Sequence, residues 1–172
     1  MIRLIAAMDT SRGIATDKGI PWKLPGDAAY FENQTTTGLI VMGSATYNEF
    51  SAPLHGRDNY VLTRQQSRLR SGFRSIATLD DLVKVDPEED VWVIGGAFVF
   101  AETIDQADQL FITQVLEDFH CTKFFPDYRS GFTRFEEGKD QEDDGVHYRF
   151  ERWRRGRDPS LTLGEAASDR RE

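Results

Sequence analysis

The sequence predicts an α/β domain built on a central, mostly parallel sheet, with an antiparallel strand at its C-terminal end and helices on both faces. Three observations lead there. Short apolar runs rich in β-branched residues recur along the chain, helix-forming segments fall between them, and the runs change from near-continuously apolar to alternating toward the C-terminus. In order, the eight candidate strands are "IRLIAAM", "LIVMG", "NYVLT", "FRSIAT", "VWVIGG", "LFITQV", "FTRFEEG" and "HYRFERW". Those from "LIVMG" through "VWVIGG" suit central strands covered on both faces, whereas "HYRFERW" alternates as a strand with one wetter face does. The first helix is expected over Pro25 to Asn33, with proline in its first turn. Thr78 with Asp81 makes a capping pair before "LVKV", and "AFVFAETI" follows a glycine pair. After Trp153 the chain turns polar and charged, so residues 1–153 are read as the domain and 154–172 as a mobile tail.

With 172 residues, 39% of them apolar, the chain supports one domain with a real core and is too short for two. No apolar run has membrane-spanning length, and the apolar part of "MIRLIAAMDTSRG" is too short for a signal peptide, which points to the cytoplasm. Cys121 is the only cysteine, so no internal disulfide can form. His55, His120 and His147 are scattered, without metal-ligand spacing, and no metal is expected. A formal net charge of -8 and a pI near 4.9 disfavour a phosphate backbone as partner. The acidic run "DQEDDG" reads as a solvated turn before the last strand.

The segment "GIPWKLPGDAAYF" sets one acid, Asp27, among apolar and aromatic residues. A carboxylate in the first turn of a helix is favoured by the helix dipole, and a surface charge is the plain reading. Here Ile20, Pro21, Trp22 and Leu24 precede the acid, and Ala28, Ala29, Tyr30 and Phe31 follow it. A ligand facing Asp27 would therefore meet mainly apolar walls. A carboxylate so placed suits a flat nitrogen heterocycle, which it can hold through paired hydrogen bonds and favour in its protonated form. "VIGGAFVF" and "VMGSAT" each set glycine between a strand and a helix, where backbone amides can approach an anion closely.

The words "IAAM", "GIPWKLPGDAAYF", "VMGSATY", "PLHGRDNYVLTR", "VIGGAFVF" and "FFPDY" stand in the order and spacing of dihydrofolate reductase, and the sequence resembles that family from Ile2 to about Trp153. The resemblance implies NADPH-dependent reduction of 7,8-dihydrofolate to tetrahydrofolate on an eight-stranded, mostly parallel sheet. By the same resemblance Asp27 anchors the pterin and assists its protonation, Trp22 stands beside this pocket, and Thr113 orders Asp27 through a hydrogen bond. Ile5, Phe31, Phe50, Leu54 and Ile94 would line the substrate, with Arg57 on its α-carboxylate, a task for which a guanidinium fork suits better than lysine. Ala7 and Ile14 would line the nicotinamide, and Ile20 would also contact the cofactor. Gly43, Ser44, Ala45, Thr46, Thr63, Arg64, Gly95, Gly96, Ala97, Phe98 and Val99 would hold the rest of the cofactor, with a cis peptide between Gly95 and Gly96; apart from the resemblance, Ser44 following a strand-ending glycine suits a helix cap.

The departures from the family's pattern shape further expectations. Ser44 and Ala45 stand where a basic contact to the cofactor's 2′-phosphate is usual, leaving Arg64, assisted by Arg68, to select NADPH. Phe100 replaces a usual tyrosine, and Ala15 a common glycine in a mobile loop, residues 9 to 24, that should close over the nicotinamide. Ala28 and Phe50 replace aliphatic residues at the pocket wall, which predicts altered antifolate fit and reduced trimethoprim sensitivity. A pyrimidinone reductase of riboflavin synthesis, or a non-catalytic pterin- or dinucleotide-binding protein, are the alternatives; Asp27, Trp22 and Arg57 together speak against the first. The family suggests a monomer.

Overall fold

The computed structural model describes residues 1–64, 69–85 and 88–156; the expected contribution of Arg68 and the expected tail beyond Gly156 lie outside them. In chain order the elements are β1 (Ile2–Met8), β2 (Gly13–Ala15), α1 (Pro25–Gln34), β3 (Leu39–Gly43), α2 (Ser44–Glu49), β4 (Asp58–Leu62), β5 (Phe73–Ile76) and α3 (Leu79–Val85). There follow β6 (Val91–Val93), α4 (Ala97–Thr103), a 3₁₀ turn (Ile104–Gln106), β7 (Gln109–Val115), β8 (Lys123–Phe124), β9 (Phe132–Glu137), β10 (Gln141–Asp143) and β11 (Val146–Arg155). The main sheet has the order β10-β11-β7-β1-β6-β3-β4-β5, with β9 also paired to β11. From β7 to β5 every pairing is parallel, and β11 runs antiparallel to β7, β9 and β10.

All eight expected strands are present, but among the described residues the sheet has nine, because β10 forms within the acidic run that reads as a turn. The turn itself is only Asp144-Gly145, both at positive φ (50° and 83°), the geometry of a tight two-residue hairpin. β11 also continues past Trp153 to Arg155, and the Gly156 N–H donates to the Gly131 carbonyl at 2.9 Å. At the opposite edge, β5 is less covered than its expected central role, with Arg74 and Ser75 exposed.

Strand alternation divides the core between two faces. Leu4, Met8, Leu39, Val41, Val91, Val93, Leu110 and Ile112 point one way, onto Leu79 and Leu82 of α3 and Val99 and Phe100 of α4. Their neighbours Ile5, Ile40, Met42, Trp92 and Phe111 point the other way, onto Tyr30 and Phe31 of α1, Tyr47 of α2 and Phe50 just after it. Helices therefore cover both faces. The Thr78–Asp81 pair caps α3 reciprocally: the Thr78 N–H and hydroxyl donate to Asp81 Oδ2 at 3.2 and 2.8 Å, and the Asp81 N–H donates to Thr78 Oγ1 at 3.2 Å.

Candidate active site

Helix α1 begins at Pro25, in the first helical position, after Leu24, whose side chain supplies no cap. The missing cap comes from β10. Asp143 Oδ2 accepts the Gly26 N–H at 2.8 Å and the Tyr148 hydroxyl at 2.9 Å, so the last hairpin braces the residue immediately before Asp27. Gly26 is required there, because a Cβ would run into the Tyr148 hydroxyl and stand 3.0 Å from Asp143 Oδ2. Sequence reasoning passed over Asp143 and Tyr148; the Asp-Gly pair flanked by strand-like residues was the signal that could have found this hairpin.

Asp27 is partly buried, and Thr113 on β7 donates its hydroxyl to Asp27 Oδ1 at 2.6 Å. Desolvation by burial pushes the Asp27 carboxyl above its ordinary value; the Thr113 hydrogen bond opposes this and the nearby Asp143 charge adds to it. The carboxyl is thus biased toward holding a proton. Trp22 is buried and meets the Phe119 ring edge-on at 5.3 Å, in a cluster with Leu24, Val115, Cys121 and Tyr148. Ala7 packs on this cluster and is the register partner of Thr113 across β1 and β7, which sets a small side chain beside Thr113.

The apolar candidates converge. Ile5, Phe31, Phe50, Leu54 and Ile94 belong to one cluster, on the sheet face that α1 and α2 cover. At the far end of α1, Arg57 donates from Nη1 to Thr35 Oγ1 at 2.8 Å, from Nη2 to Glu32 Oε2 at 2.9 Å and from Nε to the His55 carbonyl at 3.2 Å. Two open depressions, about 640 and 550 Å³, flank Arg57. From Asp27 to Thr35 the chain advances eight residues, roughly 12 Å along the helix, so acid and guanidinium stand at opposite ends of one apolar wall.

The glycine turns meet beside the C-terminal ends of β3 and β6. The Gly43 N–H donates to the Gly95 carbonyl at 2.7 Å, and the Gly95–Gly96 peptide is cis. A Cβ on Gly43 would stand 2.5 Å from Val99 Cγ2, and one on Gly96 would stand 3.4 Å from Thr46 Oγ1. Both helices that start here lack a side-chain cap: Gly43 and Gly96 occupy the cap positions, and Ser44 is the first residue of α2 rather than its cap. Val99 and Phe100 are buried, the latter 4.8 Å from the Phe125 ring, whereas Ser44, Ala45, Ile20 and Phe98 are exposed. Ile14 packs on the core from β2, Ala97 is partly buried, the Thr63 N–H donates to the Ile76 carbonyl at 2.9 Å, and Arg64 is exposed beyond β4.

The loop from residue 9 to 24 is anchored over its first half. Buried Asp9 accepts the N–H groups of Ser11 and Gly13 at Oδ1 (2.9 and 2.6 Å) and that of Phe119 at Oδ2 (3.2 Å), and β2, which contains Ala15, pairs with β8. Residues 16 to 19 then close a turn through Thr16 and Gly19, followed by exposed Ile20 and Pro21.

A family model described as dihydrofolate reductase matches residues 1–155. The chain belongs to the dihydrofolate reductase family. It is 32% identical over 154 residues to a dihydrofolate reductase of Bacillus subtilis (strain 168), covering 87% of this chain and 92% of that protein. It is 33% identical over 153 residues to a dihydrofolate reductase type 3 of Salmonella typhimurium, covering 88% and 94%. A dihydrofolate reductase type A13 of Escherichia coli is 33% identical over 127 residues, covering 73% and 77%. Members of the family use a nicotinamide cofactor, and the uncapped amide groups at the starts of α2 and α4, with no side chain filling the space at Gly96, fit the anionic part of such a molecule. No helix among the described residues is long and apolar enough to cross a membrane.

Proposed function

We propose that this chain reduces 7,8-dihydrofolate to 5,6,7,8-tetrahydrofolate with NADPH as the reductant. The observation that carries the reading is Asp27: a carboxyl held by Thr113 at 2.6 Å, biased toward its protonated form by burial, at one end of an apolar wall that ends at Arg57. The bound cofactor supplies hydride to the pterin ring. Asp27 holds the amidine edge of the ring and assists delivery of a proton to the adjacent ring nitrogen. Thr113 orients that carboxyl, and Trp22 shields its flank. Ile5, Phe31, Phe50, Leu54 and Ile94 exclude water from the pterin and benzoyl rings, and Arg57 takes the α-carboxylate. Antifolates would compete along the same wall.

Cofactor contacts are assigned to Ala7, Ile14 and Ile20 at the nicotinamide, to Gly43 through Thr46 and Gly95 through Val99 at the phosphates, and to Thr63 and Arg64 at the adenosine end. The two glycine turns, drawn together by the Gly43–Gly95 hydrogen bond, support the phosphate assignment. The chain is proposed to act as a cytoplasmic monomer, and a single buried cysteine suits a reducing compartment.

The test follows oxidation of NADPH, and separately NADH, by the purified chain with and without dihydrofolate. Dihydrofolate-dependent oxidation that is faster with NADPH is expected, and Arg64→Ala should narrow the gap between the cofactors. Oxidation that ignores dihydrofolate, or cofactor binding without turnover, would overturn the proposal.

A further inference from the structure

The contact between Arg57 and Glu32 has no part in the reaction above, yet it engages the group assigned to the substrate's carboxylate. Arg57 is held by three acceptors, and they differ in kind. Thr35 Oγ1 and the His55 carbonyl are neutral, and Thr35 is fully buried and donates its own hydroxyl to the Phe31 carbonyl at 2.8 Å. Glu32 is charged, and its side chain is 58% exposed against 6% for Arg57. It also lies one position beyond Phe31 on α1, so its carboxylate is carried on the helix that forms the substrate wall.

We propose that Glu32 is a specificity-determining residue: its carboxylate competes with a ligand carboxylate for the Arg57 guanidinium, and so lowers the chain's preference for pterins that carry a glutamate tail. A ligand carboxylate that takes Nη2 must displace Glu32, which then stands beside it as an unpaired like charge. The neutral acceptors stay in place and keep the guanidinium aimed. A pterin without the tail never reaches Arg57 and meets neither cost. The inference rests on the assignment of Arg57 to the tail, and the solvent exposure of Glu32 keeps its size to that of a screened ion pair, a factor of about 1.5 to 5.

The test measures KM for dihydrofolate and for 6-methyl-7,8-dihydropterin, which lacks the aminobenzoylglutamate, and compares their ratio across variants. Glu32→Gln should raise the ratio of the tail-less KM to the dihydrofolate KM by about 1.5- to 5-fold. Glu32→Asp keeps the charge but withdraws it by one methylene, and should raise the ratio as well. In an Arg57→Ala background, with Arg57→Lys as a milder second variant, Glu32→Gln should have lost this effect. A ratio unchanged or lowered in Glu32→Gln would overturn the inference while leaving Arg57 as the tail's partner. So would Glu32→Asp matching the wild type, or an undiminished effect without Arg57, since either would mark long-range repulsion instead of competition. If Arg57→Ala alone leaves the ratio where it was, the assignment of Arg57 fails and the inference falls with it.

Discussion

Asp27→Asn separates a working acid from a helix-start charge, because the two roles predict opposite changes in stability. As a first-turn charge favouring the helix dipole, Asp27 would stabilise α1 by about 0.3–1 kcal/mol, and its neutralisation would cost that much. The structure argues otherwise: the side chain accepts from Thr113 across the cleft, and the Gly26 amide is served by Asp143. Burial raises the carboxyl above its ordinary value of 3.8, so the folded state holds this proton more tightly than the unfolded chain. Ionised Asp27 therefore costs stability above the raised value, and that cost fades as pH falls through the window down to 3.8. Asparagine keeps an oxygen for the Thr113 hydroxyl and carries no charge. At neutral pH it should stabilise the fold by about 0.5–2 kcal/mol, the usual yield of relieving one unfavourable group, or roughly 2–4 °C in Tm per kcal/mol for a domain of this size.

The same substitution removes the proton source, and kcat/KM at neutral pH should fall by about 10²- to 10⁴-fold, the usual worth of a positioned acid. In the wild type the rate should decline as pH rises past the raised Asp27 value, because the protonated form is the useful one. In the variant that inflection disappears, and the deficit shrinks at low pH where solvent protonates the ring directly. Steady-state rates across pH, paired with urea denaturation of both proteins, read all of this. A variant that loses stability at neutral pH, or keeps a tenth of wild-type activity there, refutes the reasoning.

Thr113→Val removes the hydroxyl from Asp27 at little cost in volume. It should lower kcat/KM by about tenfold, near the lower end of what a hydrogen bond to a charged group is worth. It should also move the alkaline limb of the pH–rate profile upward, since that bond lowers the Asp27 pKa; a limb that moves down would contradict this. Gly26→Ala drives a methyl group into the Tyr148 hydroxyl and should destabilise the fold by about 1–3 kcal/mol, measured by urea denaturation, with kcat falling as Asp27 shifts. Phe50→Leu should lower the inhibition constant for trimethoprim by restoring an aliphatic wall, and an unchanged constant would show that Phe50 does not set antifolate fit.

Much of the fold was legible because its signals are local. Continuous apolar runs marked the buried parallel strands, Pro25 marked the start of α1, and Thr78 with Asp81 marked the start of α3. The backbone of the proposed site was legible where a motif sets it: the cis peptide expected at Gly95-Gly96 is present, and Gly43 lies between a strand and a helix. What stayed hidden depends on pairings across long separations. Nothing near Asp143 indicates that it will cap a helix 117 positions earlier, and an acidic run is ordinarily solvent-facing. Ser44 departs from its expected role for the opposite reason: serine is a common cap, but here the preceding glycine takes the extended conformation at the strand end, and serine becomes the first helical residue.

Helix α1 links the two ends of the proposed reaction. Its start is fixed by β10 through Gly26 and by β7 through Asp27, and its end by Arg57 through Thr35, a bond that remains when a ligand displaces Glu32. A rigid helix between two fixed ends sets the distance from acid to guanidinium, so a ligand bound at Arg57 arrives at Asp27 with its position along the wall already determined. Substitutions at the two ends should then be coupled: loosening the start through Asp143 shifts the acid relative to a tail still held at Arg57, and lowers kcat for dihydrofolate more than for a tail-less pterin that can follow the acid. Loosening the end through Thr35 leaves the acid in place, and its cost should appear in the KM for dihydrofolate.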